Sequence, residues 1–121
     1  MTLENRAVVQ SLADAWAAQD IELIMSHFTD DIVYHNMPME PAEGTDAVRA
    51  TIEGFLAMAD SIHFETLNEV SDGDVVLNER VDTFVIGGNP TPVRVMGTFE
   101  LRDGKIARWR DYFDMAGFTG G

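Results

Sequence analysis

The sequence contains no cysteine, which excludes disulfide staples and thiolate–metal sites and fits a reducing compartment. Positive charge is scarce: eight Lys and Arg against 21 Asp and Glu leave a formal net charge of −13. Nucleic acid and anionic membrane bind proteins through clustered Lys and Arg, so neither is an expected partner. The acidic residues are scattered rather than gathered in a tail, and their plain role is solubility. No apolar run is long enough to cross a bilayer, and "MTLENRAVVQ" lacks the basic and apolar segments of a signal peptide. A cytoplasmic protein is expected. His27, His35 and His63 form no i, i+4 pair, so no metal site is expected either. "SDGDVVLNE" lacks the alternating ligands of a calcium loop, and "IGGNP" lacks the Gly-Lys-Ser/Thr of a phosphate loop.

What is present fits one domain over residues 1–121, a length that can bury its own core. "LENRAVVQSLADAWAAQ" is Ala-rich with Leu12, Ala15 and Trp16 on one helical stripe, and Thr2 stands near its cap. Asp20 is placed to cap a short helix over "IELIMSHF", "TDD" reads as a turn, and "DIVYHNM" as a strand ended by Pro38. After the loop "MEPAEG", Thr45 is placed to cap a third helix, "DAVRATIEGFLAMA". Four strands follow: "IHFETLNEVS", "DVVLNERVDTFVI", "VRVMGTFEL" and "IARWRDYFDM". Asp72-Gly73 and Asp103-Gly104 suit tight hairpins, and "GGNPTP" reads as a wider connection. Helices first and an antiparallel meander afterwards spell an α+β fold, with helices on one side of a curved sheet that Gly97 helps to bend.

Several strands carry polar residues where apolar ones belong. In "VVLNERVDTFVI", Arg80 and Asp82 share a face with Val76, Asn78, Phe84 and Ile86. In the last strand, alternation sets Ile106, Arg108, Arg110, Tyr112 and Asp114 on one face, and Ala107, Trp109, Asp111 and Phe113 on the other. Tyr34 and Asn36 point together with Ile32. Taken singly, each has a structural explanation: Arg80–Asp82 as an internal ion pair, Asp111 held by backbone N–H groups or Arg94, Tyr34 and Asn36 capping a turn. Taken together, on three strands, they read as one cluster, because buried polar groups must partner one another. A regular hairpin through Asp103-Gly104 sets Asp111 opposite Met96, and an odd-length "GGNPT" loop brings Asp82 there too.

At these residues the sequence resembles the limonene-1,2-epoxide hydrolase family, within the nuclear-transport-factor-2-like and SnoaL-like group. The matching pieces are "YHNMP", "NERVD" and "WRDYFD", in order and at fitting separations. The resemblance implies a cone-shaped curved mixed sheet with about three helices around a deep apolar pocket. It also implies one-step hydrolysis without a cofactor, and a homodimer. It makes Asp111 the general base, Tyr34 and Asn36 holders of the attacking water, Asp82 the general acid and Arg80 the bridge between the carboxylates. The chemistry is sound: a strained epoxide needs a nucleophile at carbon and a proton at oxygen, and two carboxyls in opposite protonation states supply both. An acid working near neutral pH needs its pKa raised by about three units, roughly 4 kcal/mol.

The expected partners are a small apolar epoxide, terpene-like or cyclic, and water. Seven Met, seven Phe and two Trp supply an adaptable lining, with Leu23, Phe28, Met37, Phe55, Met58, Ile62, Met96, Trp109, Phe113 and Phe118 as candidates. Two further readings stand beside hydrolysis. Proton transfer like that of a ketosteroid isomerase leaves Arg80 and Asn36 without roles, and non-catalytic binding of apolar ligands tolerates Asp111→Asn.

Overall fold

A computed structural model describes residues 2–116, and their side chains from residue 4 onward. The chain forms α1 (Thr2–Ala17), α2 (Ile21–Met25), β1 (Phe28–Asn36), β2 (Ala42–Glu43) and α3 (Thr45–Met58), then β3 (Ser61–Asp72), β4 (Val75–Ile86), β5 (Asn89–Arg102) and β6 (Lys105–Tyr112). The strands make one six-stranded sheet in the order β2-β1-β6-β5-β4-β3. The β1–β6 pair is parallel and the other neighbours are antiparallel. The sheet is curved and does not close. Its concave face holds the core, with α1 against β3 and β4, and α3 against β1 and β2.

The α1 stripe of Leu12, Ala15 and Trp16 is buried as the spacing requires, and Val9 extends it. The Thr2 side chain lies outside the described residues, as does Phe118. Asp20 caps α2 by accepting from the Leu23 N–H at 3.1 Å. That helix ends at Met25, because Phe28 already belongs to β1. At α3 the N-cap is Gly44 rather than Thr45. The Gly44 N–H is tied to the Ile32 carbonyl at 2.8 Å, a rung to β1, so the helix starts one residue sooner. The Thr45 hydroxyl donates instead to the Asp30 carbonyl at 3.3 Å.

Three expectations about connections need correction. "TDD" is an irregular part of β1, where the register with β6 shifts between Phe28 and Val33. The "GGNPTP" connection is a two-residue turn, Gly87-Gly88, with Ile86 opposite Asn89. Both glycines have positive φ (58° and 80°), which a tight hairpin of this hand demands. Pro90 and Pro92 are tolerated because β6 pairs with β5 only from Met96 onward, so among the described residues this stretch of β5 has no strand neighbour on that side. The third correction concerns register. Leu101 opposes Ile106 but Glu100 opposes Arg108, so Ala107 is an extra residue. The bulge puts Gly97, not Met96, opposite Asp111. It also turns Ile106 inward beside Trp109 and Asp111, where strict alternation had set it outward.

Candidate active site

The register assembles one polar row across four strands. Asn36 of β1 neighbours Asp111 of β6, Asp111 neighbours Gly97 of β5, and Gly97 neighbours Asn78 of β4. Arg80 and Asp82 follow Asn78 on the same face of β4. The buried polar and charged residues are Asn5, Asn36, Asn78, Arg80, Asp82 and Asp111. All but Asn5 belong to this group, so among the described residues buried polarity is concentrated in one place.

Arg80 organises it. Its Nε donates to Asp82 Oδ1 at 2.9 Å and its Nη2 to Asp82 Oδ2 at 2.8 Å, a bidentate fork. The same Nη2 donates to Asp111 Oδ2 at 2.9 Å, across the whole width of β5. Neighbouring strands lie about 4.8 Å apart, so spanning β5 takes a side chain as long as arginine. It also takes an absence of side chain in between. A Cβ added to Gly97 would lie 2.2 Å from Arg80 Nη1 and 2.9 Å from Asp111 Oδ1. Gly97 is therefore the gap through which the guanidinium passes. The cation sits between the rings of Phe64 and Phe99, 5.2 and 5.8 Å from their centroids.

Asp111 receives a second donor from its own strand, the Trp109 indole N–H, at 2.7 Å to Oδ1. Trp109 is held flat between Tyr34 and Phe99, at centroid distances of 4.3 and 5.2 Å. Arg94, the alternative partner of Asp111, lies on the exposed outer face. Each Asp111 oxygen thus has one donor and keeps a lone pair for a ligand.

The electrostatics separate the titratable groups. Burial drives Asp82 up to about 6, against the downward pull of Arg80 and with the Asp111 charge adding to the rise. Burial, then the Asp111 charge, raises Tyr34 well above the ordinary phenol value, so its hydroxyl stays protonated and can donate. Burial lowers Arg80, but the two aspartates outweigh it and the guanidinium remains a fixed cation. Arg80 Nη2 thus offers one cation to two buried carboxyls at once.

Both carboxyls face a cavity of about 320 Å³, open mouth included. Its walls are Trp16, Phe55, Phe64, Phe84, Val93, Val95 and Phe113, with Tyr34 and Asn36 beside the carboxyls. Arg80 lies behind the aspartates, toward a smaller void under α1. Of the sequence-derived lining candidates, Phe55 and Phe113 line this cavity. Trp109 partners Asp111, Phe28 and Ile62 are core, and the half-buried Met37 gives its backbone N–H to the Asp111 carbonyl at 2.9 Å. Leu23, Met58 and Met96 are 45, 39 and 49% exposed and do not line it. Met96 is outside because the Ala107 bulge and the two-residue Gly87-Gly88 turn hand its inward place to Gly97. Sequence reasoning missed Trp16, Phe64, Phe84, Val93 and Val95. Phe84 was within reach, two residues from Asp82 on one face, whereas Val93 and Val95 needed the β4–β5 register.

The arrangement can hold a polar molecule against Asp111, Asn36 and Tyr34, deliver a proton from Asp82, and surround an apolar ligand with aromatic rings. The chain is 33% identical over 109 residues to epoxide hydrolase EphG of Mycobacterium tuberculosis, covering 88% of this chain and 71% of that protein. Among solved structures, an M. tuberculosis LEH-like epoxide hydrolase superposes with a TM-score of 0.81 at 31% identity, covering 98% of this chain and 90% of the other. An NTF2-like protein of Burkholderia pseudomallei has a TM-score of 0.84 at 14% identity, over 97% of this chain and 95% of that one, a likeness of fold alone. The SnoaL-like domain matches residues 9–109. With this match across most of its length, and with the helices and curved mixed sheet of the NTF2-like fold, the chain belongs to the SnoaL-like domain family.

Proposed function

We propose that this protein is a cofactor-independent epoxide hydrolase that adds water to a small apolar epoxide, terpene-like or cyclic, to give a vicinal diol. The observation that carries the reading is the single Arg80 Nη2, 2.8 Å from Asp82 and 2.9 Å from Asp111, with both carboxyls opening onto one aromatic cavity. The identity to an epoxide hydrolase supports it.

In this mechanism a water molecule sits against Asp111, Asn36 and Tyr34. Asp111 accepts one water proton as the oxygen attacks an epoxide carbon. The carbon–oxygen bond of the ring breaks, and the Asp82 proton goes to the departing oxygen. Holding water and epoxide together removes much of the entropic cost of a bimolecular attack. The turnover leaves a proton on Asp111 and none on Asp82, with Arg80 touching both, and exchange through the dyad restores the starting state. The roles of Asp82 and Asp111 follow from their environments: Asp82 is the carboxyl whose proton affinity is raised.

The test is incubation of purified protein with a panel of terpene and cycloalkene oxides in ¹⁸O-labelled water. Wild type should release labelled diol. Asp82→Asn and Asp111→Asn should each lower kcat by at least about a thousandfold, the scale expected of essential acid–base groups. Chelator should have no effect. Failure to form diol from any member of the panel would reject the reading.

We also propose a homodimer. The outer face of the sheet exposes Leu67, Met96 and Tyr112 around one shallow depression, with Val70 and Leu77 nearby. The depression is also lined by Glu79 and Arg94, so it combines exposed apolar side chains with both signs of charge, a composition suited to a partner surface.

A further inference from the structure

The guanidinium of Arg80 uses Nε and Nη2 on the two carboxylates, which leaves Nη1 to be fixed by something else. The group that takes it is Asn78, whose Oδ1 accepts from Nη1 at 2.8 Å. Asn78 is 2% exposed, two residues before Arg80 and on the same face of β4. It stands outside the five residues that the resemblance assigns to the reaction. Its neighbours explain why an uncharged acceptor is needed. Across the β4–β5 pair lies Gly97, and beyond it Asp111. Across the β3–β4 pair lies Glu69, whose carboxylate is engaged by Arg6 of α1 at 2.8 Å. A second acid at position 78 would add another anion to a site that already holds Asp82 and Asp111 around one cation.

We propose that Asn78 is a positioning residue for the acid–base pair: its amide oxygen fixes the plane of the Arg80 guanidinium so that Nη2 spans both carboxylates, and does so without adding charge. This rests on the epoxide-hydrolase reading for its kinetic consequences but not for its electrostatic one. In a guanidinium pinned at three points, rotation about the Cδ–Nε bond is suppressed. Freed at Nη1, the guanidinium can rock about the Nε–Nη2 edge that the fork to Asp82 holds, and the single Nη2 bond to Asp111 is the one that turns out of line. Asp111 then loses its tie to the acid.

Two variants of nearly unchanged size test this. Asn78→Leu removes the acceptor, and Asn78→Asp keeps it but charges it. The groups that act on Asp82 are Arg80, Asp111 and, more weakly, His63, and all three are retained in both variants. With Asn78→Leu, kcat should fall at least tenfold while KM stays within about threefold, since no cavity wall is altered. With Asn78→Asp, the new anion should hold the Asp82 proton more tightly. The descending alkaline limb of the pH–rate profile should move up by half a pH unit or more, and the Asp82 carboxyl ¹³C titration should move with it. Thermal melts report whether each variant folds. A residue that merely satisfies a buried donor would lower the melting temperature of Asn78→Leu and leave its kcat per folded molecule unmoved, which would overturn the proposal. If Asn78→Leu fails to fold, Asn78→Asp decides alone. If wild type forms no diol, the hydrolase reading fails, and the ¹³C titration of wild type and Asn78→Asp still decides whether Asn78 sets the electrostatics of Asp82.

Discussion

Asp82 is held by two opposed forces, burial that favours its neutral form and a bidentate arginine that favours its anion, and burial wins, bringing it to about 6. This has a consequence for pH. A general acid must be protonated, so kcat/KM should fall about tenfold per unit as pH rises above about 6. An apolar substrate displaces water from the cavity and adds desolvation, which pushes the same group higher. The limb seen in kcat should therefore lie at higher pH than the limb in kcat/KM. Measuring both profiles checks the argument, and activity that instead rises through pH 6 to 8 would remove Asp82 from the acid role. Much of this was legible residue by residue. Arg80–Asp82 and Trp109–Asp111 are i, i+2 pairs, and a strand turns such pairs to one face whatever the rest of the chain does. Trp109 was legible as an inward residue but not as the donor to Asp111, because a stripe of aromatics does not say which indole N–H finds a carboxylate.

At the scale of elements, the site depends on one irregularity. The extra residue Ala107 in β6 shifts the β5–β6 register by one and sets Gly97 beside Asp111. A regular ladder would have put Met96 there and filled the space that Arg80 needs. The glycine is consequently more than a bend in the sheet. Gly97→Ala should push the guanidinium out of its bridge, because the added carbon would overlap Nη1 at 2.2 Å. The expected result is a loss of activity of at least a hundredfold, with destabilisation of about 1–3 kcal/mol, the usual cost of overpacking a core. Urea melts and turnover on the same preparation measure both. Full activity in Gly97→Ala would mean that the bridge is not needed. The bulge does not announce itself in the sequence. "IARWRDYFDM" alternates well enough to read as a regular strand, and only the pairing with "VRVMGTFEL" reveals the surplus residue.

For the whole molecule, the division of the sheet into two faces sets the division of labour. The concave face, covered by α1 and α3, carries the polar row and the aromatic cavity. The outer face carries Leu67, Leu77, Met96 and Tyr112 in the open, on a chain whose net charge of −13 would otherwise keep copies apart. Sedimentation velocity should show a dimer. The double substitution Met96→Glu and Tyr112→Glu, on the outer face, should convert it to monomer with the helical circular dichroism unchanged. A wild type that sediments as a monomer at all concentrations would reject the dimer.

The sequence by itself determined the helices-then-meander order, the two Asp-Gly hairpins, and the inward pairing of Tyr34 with Asn36 and of Arg80 with Asp82. Each follows from local rules of periodicity, turn chemistry and strand alternation that act over a few residues. Tertiary structure alone decided which residues of different strands meet. The parallel β1–β6 pairing brings Asn36 to Asp111, and the bulge brings Gly97 between Asp111 and Asn78. A single-residue change of register exchanges one face of a strand for the other, so a site built from four strands cannot be read from any of them singly.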